Sequence, residues 1–340
     1  MSSFRFIDLY AGIGGFRIPF DELGGECVFT SEIDKYARMT YEANHKNTEN
    51  HILATDIRPY AQNPELVPSH DLLLAGFPCQ AFSILSVPRK NILNKPHGFA
   101  DKERGVAFFD IARILQYHYP KVFILENVPH LKSHDNGATF TTILSILTKE
   151  LGYDVYYRII DSSSWVPQRR KRLFIIGFRD EVFFDFNFDN LSIPYQKQGP
   201  ILGDILESVV DCRYTLKSNT WKSIKNRAEK HNKLRHKDKN VFDFKYYVFN
   251  STDKANTLLH CYRPNKYNSA AILIKQEGSI PRVLTPRECS RLMGFDEPRG
   301  TAFKIVVSDR QAYRQFGNAV VVPVVRALAE LVYPYLIPDA

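Results

Sequence analysis

Short apolar runs alternate with segments of helical period through residues 5–180 of this 340-residue chain. Residues 6–10, 26–30, 72–75, 122–125, 155–160 and 173–176 read as strands. Residues 16–23, 34–44, 108–116 and 140–151 carry the apolar spacing of helices. This order predicts an α/β sheet with helices on both faces. Ligands of such sheets gather at the carboxyl ends of the strands. The chain places its small and polar blocks there. Asp8-Leu9-Tyr10-Ala11-Gly12-Ile13-Gly14-Gly15-Phe16 leaves the first strand, and Gly76-Phe77-Pro78-Cys79-Gln80 leaves the run 72–75. Glu126-Asn127-Val128 leaves the run 122–125, and Gln168-Arg169-Arg170-Lys171-Arg172 leads into the run 173–176. Gln315-Phe316-Gly317-Asn318-Ala319-Val320 follows near the C-terminus.

Residues 186–280 break the pattern. They are polar, aromatic and basic, with poor periodicity, and read as an inserted second domain. A helical pattern returns at residues 323–333. The expected division is 1–185 plus 305–340 as one domain and 186–304 as a second, smaller domain with its hinge. Between Arg213 and Lys239 ten Lys and Arg face two acids, an excess equal to the formal net charge of +8 for the whole chain. Tyr214, Trp221, His231 and His236 are interleaved. The run is either a solvated face or an electrostatic footprint for a polyanion such as nucleic acid.

No apolar run approaches the ~20 residues of a membrane span, and no signal peptide is read at the N-terminus. Cys27, Cys79, Cys212, Cys261 and Cys289 are scattered, with no Cys-x-x-Cys pair, so neither a zinc site nor a disulfide framework is expected. A reduced cytosol fits this usage best.

Gly12, Gly14 and Gly15 permit positive φ and close approach of a ligand to the backbone. Their spacing is not Gly-x-Gly-x-x-Gly, which disfavours a nicotinamide dinucleotide site. Glu32 ends the second strand, where a carboxylate can take both hydroxyls of a ribose. Asp56 can accept from an adenine amino group while Ile57 packs on the ring; either acid can equally cap a helix. Cys79, taken alone, is either a thiolate nucleophile at the sheet rim or a buried structural residue.

Together and in this order, the blocks resemble the DNA (cytosine-5)-methyltransferases, in particular the compact enzymes of bacterial restriction–modification systems. The resemblance spans residues 5–325, apart from 186–280. It implies an S-adenosylmethionine-dependent, Rossmann-like methyltransferase domain and a smaller, irregular target-recognition domain. The cofactor implied is S-adenosyl-L-methionine, with S-adenosyl-L-homocysteine as product and no metal. Tyr10, Ala11, Gly12, Gly14, Gly15, Phe16, Glu32, Ile33, Asp56, Ile57, Pro78 and Asn318 match the cofactor pocket. Many relatives carry Trp where this chain has Ile33, and often Phe where it has Tyr10.

The resemblance further implies covalent catalysis. Cys79 is the expected nucleophile at C6 of cytosine. Glu126 is expected at N3 with a raised pKa. Arg170 and Arg172 are expected to fork hydrogen bonds to the base O2 and to hold Glu126 and the backbone phosphate. Gln80, Ser83 and Asn127 are expected at the DNA or ordering its loop. The target base must be flipped from the duplex, and residues 83–104 read as a lid. Lys222, Lys225 and Arg227 are expected at phosphates; Arg263, Asn265, Lys266 and Tyr267 at base edges. The recognition sequence is unread beyond a faint likeness of Thr257-Leu258-Leu259 and Ala271-Ile272-Leu273-Ile274 to relatives that modify CC-containing sites.

The implied substrate is double-stranded DNA, with a cognate restriction endonuclease as functional partner without a stable complex. A cytoplasmic monomer without membrane attachment is expected. Two readings stand beside this one: a tRNA cytosine-5 methyltransferase, whose branch usually carries Pro-Pro-Cys-Gln-Pro-Phe-Thr, and a non-catalytic DNA-binding adaptor on the same fold.

Overall fold

The computed structural model describes residues 4–78, 107–179, 186–194, 199–235, 248–262 and 272–337, with the backbone alone for 227–235. The chain divides into two compact units. The first comprises Met1–Ile160, Lys171–Ser192 and Val325–Ala340; the second comprises Asp161–Arg170 and Ile193–Val324. Residues 161–170 and 305–324 thus group with the second unit and 186–192 with the first, a division that differs from the expected 1–185 plus 305–340 and 186–304.

The first unit is built on strands β1 (Arg5–Leu9), β2 (Glu26–Ser31), β3 (Ile52–Ala54), β4 (Leu72–Gly76), β5 (Val122–Asn127), β6 (Tyr153–Asp161) and β7 (Lys171–Arg179). Their order across the sheet is β3-β2-β1-β4-β5-β7-β6. Strands β1 to β5 pair in parallel, and β7 runs antiparallel to β5. The expected α/β sheet is therefore present. The three-residue β3, just before Asp56, carries too few residues to show a period.

Both faces of the central strands are covered, which is why they read as unbroken apolar runs. Ile7, Leu9, Leu73, Ala75, Phe123 and Leu125 face one side, in a core shared with Phe108, Ile111 and Leu115 of helix Ala107–His118. On the other side Phe4 meets Phe20 and Tyr333 edge-on, each at 6.2 Å between ring centres. Tyr333 lies on helix Val322–Leu336, which extends the expected 323–333 pattern by a turn. The stretch Asp309–Leu336 is apolar and long enough to cross a membrane by composition, yet more than half of its most apolar window is buried.

The chain leaves β1 toward β2 on one side and β4 lies on the other, so the strand order reverses between β1 and β4. This is the crevice where a doubly wound sheet takes its ligand.

The second unit holds a small sheet of β8 (Val248–Phe249), β9 (Leu273–Ile274) and β10 (Arg282–Val283) in the order β10-β9-β8. The basic run, which showed poor periodicity, contains the 18-residue helix Ser218–Arg235. Lys, Arg, Glu and Ala favour helix intrinsically even where no apolar stripe is present. Helix Pro286–Met293 starts on a capping box of Thr285 and Glu288. Arg282 pairs with the fully buried Glu288 at 2.7 Å.

Candidate active site

The turn after β1 is bent by backbone rather than by side chains. Tyr10, Gly12 and Gly14 adopt φ of 56°, 58° and 83°. Positive φ costs glycine nothing but is uncommon for tyrosine, so Tyr10 is a strained residue at a strand end. A β-carbon on Gly14 would fall 2.0 Å from Nε2 of His45, so this position admits only glycine. A β-carbon on Gly12 would meet nothing within 4 Å, leaving open space over the loop.

Glu32 closes the loop from the end of β2. Its Oε2 accepts from the Gly12 N–H at 2.8 Å and its Oε1 from the Asp34 N–H at 2.7 Å. Burial raises its pKa above the usual carboxylate range, opposed by those two N–H groups. Each oxygen retains a lone pair for a further donor. The next side chain, Ile33, is 72% exposed, a large apolar surface beside an open glycine. Ile57 is buried in the sheet core, and Asp56 is engaged by Arg58 at 2.6 Å. Pro78 is exposed, Phe16 buried.

Behind this loop lies a polar network that sequence reasoning missed. Arg17 donates to Asp21, Tyr41, Asn47 and the Lys46 carbonyl at 2.6–3.0 Å. Nε2 of His45 stands 3.2 Å from the Ile13 carbonyl. Burial, aided by the Arg17 charge, pushes the His45 pKa down to about 4. It is therefore neutral at pH 7. Asp110, at 6% exposure on helix Ala107–His118, was also missed. Burial raises its pKa to about 6, against the pull of Arg113. These residues carry no strand-end signal; only tertiary packing brings them to the pocket.

At the neighbouring strand ends, Gly76 of β4 is in register with Glu126 of β5. Glu126 Oε2 and Phe16 Cε2 each lie 3.7 Å from where a Gly76 β-carbon would stand. Across the antiparallel pair, Arg172 Nε meets Glu126 Oε1 at 2.8 Å, with side chains 15% and 12% exposed. Asn127, buried, donates from Nδ2 to the Phe77 carbonyl at 3.0 Å, and its Oδ1 accepts from the Val128 N–H. The glycine loop, Glu126, Arg172 and the approach to Pro78 thus meet at one end of the sheet. Cys79, Gln80, Ser83 and the expected lid at 83–104 lie outside the described residues.

In the second unit Arg170 is buried. It donates from Nη1 to the Leu258 carbonyl (2.7 Å) and from Nη2 to the carbonyls of Gly317 (3.0 Å) and Ala319 (2.8 Å). The forked donors expected at a base thus reach the C-terminal turn of helix Asp309–Asn318, as a cation suits. A β-carbon on Gly317 would fall 2.4 Å from the backbone of Leu259 and His260, so glycine is required there. Asn318 is exposed beside it. Lys222 and Lys225 are exposed on helix Ser218–Arg235, with the Lys225 ammonium 5.0 Å from the Trp221 ring centre. The side chain of Arg227, and Arg263, Asn265, Lys266 and Tyr267, lie outside the described residues. Among the described residues no group of three His, Cys, Asp or Glu side chains could hold a metal ion.

The family model of the C-5 cytosine-specific DNA methylases matches residues 4–333. A DNA-cytosine methyltransferase of Escherichia coli is 40% identical over 98% of this chain and 78% of its own length. The Type II methyltransferase M.DsaV of Dactylococcopsis salina is 44% identical over 98% of this chain and 86% of its own length. Among solved structures, the Dnmt2 methyltransferase of S. pombe superposes with a TM-score of 0.74 at 18% identity, over 97% of this chain and 99% of that one. That likeness shows the fold, and it agrees with the methyltransferase architecture expected from the sequence.

Proposed function

The chain belongs to the C-5 cytosine-specific DNA methylases, and on that premise we propose that it methylates C5 of a flipped-out cytosine in double-stranded DNA through a covalent bond from Cys79 to C6. The observation that carries this reading is the grouping of Glu126, Arg172 and Asn127 around the turn that leads to Cys79. The enzyme is a cytosine-C5 DNA methyltransferase of the Type II restriction–modification kind; the mechanism and the site roles below are our reading.

The donor set fits S-adenosyl-L-methionine. Glu32 keeps lone pairs for the ribose hydroxyls, Ile33 offers an exposed apolar face, and Gly12 leaves room at the backbone. Tyr10, Ala11, Gly14, Gly15 and Phe16 would wall the pocket, with Asp56, Ile57 and Pro78 at its edges. When bound, the cofactor supplies an electrophilic methyl group on a sulfonium.

C5 of cytosine is barely nucleophilic. Addition of the Cys79 thiolate to C6 turns the ring into an enamine whose C5 can attack an electrophile. Negative charge then develops on the ring, and Glu126 relieves it by sharing a proton at N3. Arg172 holds the Glu126 carboxylate in place and offers its remaining donors to the base O2. Asn127 fixes the backbone two residues before Cys79, which orients the nucleophile. Arg170 acts as a positioning residue for the turn that carries Asn318. After transfer the C5 proton leaves to a water and the thiolate is expelled. The second unit, with Lys222, Lys225 and Arg227 on its basic helix and the 263–267 segment, reads the target sequence.

The role proposed in the cell is protection of host DNA in the cytoplasm against a cognate restriction endonuclease. Incubation with labelled S-adenosyl-L-methionine and either duplex DNA or tRNA tests the reading. Label in duplex DNA alone supports it; label in tRNA alone overturns it in favour of the tRNA branch, and no label in either favours a non-catalytic adaptor.

A further inference from the structure

Asp56 follows β3 at the edge of the proposed cofactor site, where its carboxylate would accept from the 6-amino group of adenine. That carboxylate is already engaged by the residue two positions on. Arg58 donates from Nε to Oδ1 at 3.0 Å and to Oδ2 at 2.9 Å, from Nη2 to Oδ2 at 2.6 Å, and from its backbone N–H to Oδ1 at 3.0 Å. The Nε–H is shared between the two oxygens, so three N–H groups lie on the roughly four lone-pair sites of the carboxylate and occupy most of them. The Arg58 side chain is 56% exposed and that of Asp56 31% exposed. The arm can therefore leave Asp56 for water without a buried charge being stranded.

We propose that Arg58 competes with the cofactor's adenine amino group for Asp56, so that binding exchanges one donor for the other and Arg58 sets the cofactor affinity. The surroundings favour the exchange. Asp110 and the Tyr10 hydroxyl lie within electrostatic reach of the Arg58 guanidinium, and Asp110 is itself held by Arg113 at 3.2 Å. A displaced Arg58 thus stays within reach of the Asp110 carboxylate. The inference rests on the cofactor-site reading above.

The test is calorimetric titration of the full chain with S-adenosyl-L-homocysteine and with S-inosyl-L-homocysteine, which carries a 6-oxo group and cannot donate to Asp56. An exposed ion pair is weak, so its loss should tighten adenosyl binding by about two- to five-fold in Arg58→Ala. Arg58→Gln should show the same direction. Inosyl binding should be unchanged by either substitution, a contrast that a merely structural role for Arg58 would not produce. Equal or weaker adenosyl affinity in both variants, or equal tightening for both ligands, overturns the proposal. A wild-type chain that binds neither ligand overturns the cofactor-site reading itself, an outcome distinct from binding without the Arg58 effect.

Discussion

Asn127 Nδ2 and the carbonyl oxygen of Phe77 are joined at 3.0 Å between the ends of two adjacent parallel strands. The bond fixes the backbone at the second residue before Cys79, from a side chain that follows Glu126 directly in sequence. A single tripeptide, Glu126-Asn127-Val128, therefore supplies both an acid at the candidate site and the clamp on the strand that leads to Cys79.

Replacing Asn127 by Ala should leave the buried Phe77 carbonyl without this donor. The expected cost is about 1–3 kcal/mol of stability. A small displacement of a reacting group can cost about 10²-fold in rate. Thermal melting together with kcat on duplex DNA checks both. A variant as stable as wild type and fully active would show that the clamp does not matter.

Glu126→Gln removes the proposed proton donor to N3 while keeping shape. Methyl transfer should fall by about 10²–10⁴-fold. Binding of S-adenosyl-L-homocysteine should persist. Arg172→Lys should behave similarly, because an ammonium cannot reproduce the guanidinium fork that meets Glu126. Loss of cofactor binding in Glu126→Gln would place this acid in the wrong half of the site.

Two buried histidines should each contribute a loss of stability on acidification below pH 6.5, set against the opposite contribution of buried carboxylates such as Asp110. Burial holds the His45 pKa down at about 4 and that of His70 at about 3, from an ordinary value of 6.5. At these two side chains the unfolded chain takes up protons below pH 6.5 while the fold does not until the lower values are reached, so their contribution to stability drops as pH falls through that window. Each such site contributes a slope of up to about 1.4 kcal/mol per pH unit. Denaturant titrations of His70→Leu, far from the glycine loop in sequence, should show the slope reduced by one proton's worth. An unaltered slope would mean that His70 is protonated in the fold.

The strand-end placement of the site was legible in the sequence because apolar runs and glycine turns are local signals. What escaped it was decided by packing. Arg170 and Arg172 stand two residues apart with similar local surroundings, yet one guanidinium is buried on the carbonyls of Leu258, Gly317 and Ala319 and the other meets Glu126. No local pattern distinguishes them. Arg17 and Asp110 lie in the first turn of a helix and His45 just past one, where polar residues usually face solvent, and only the fold turns them inward. The helix Ser218–Arg235 lacked an apolar stripe, so the period that marks buried helices was absent.

If Lys222, Lys225 and Arg227 contact phosphates, affinity for duplex DNA should fall with salt at about −0.9 in log–log slope per contact. Replacing all three by Gln should flatten that slope by up to about three units and weaken all sequences alike. Binding titrations between low and moderate salt measure it. An unchanged slope would assign the basic helix to solvent.

The covalent role of Cys79 is tested most directly with duplex DNA carrying 5-fluorocytosine at the target position, in the presence of S-adenosyl-L-methionine. Fluorine cannot leave C5 as a proton does, so the wild-type chain should remain attached to DNA through denaturation, and Cys79→Ser should not. Absence of an adduct with the active wild-type enzyme, or an adduct that persists in Cys79→Ser, would contradict the account.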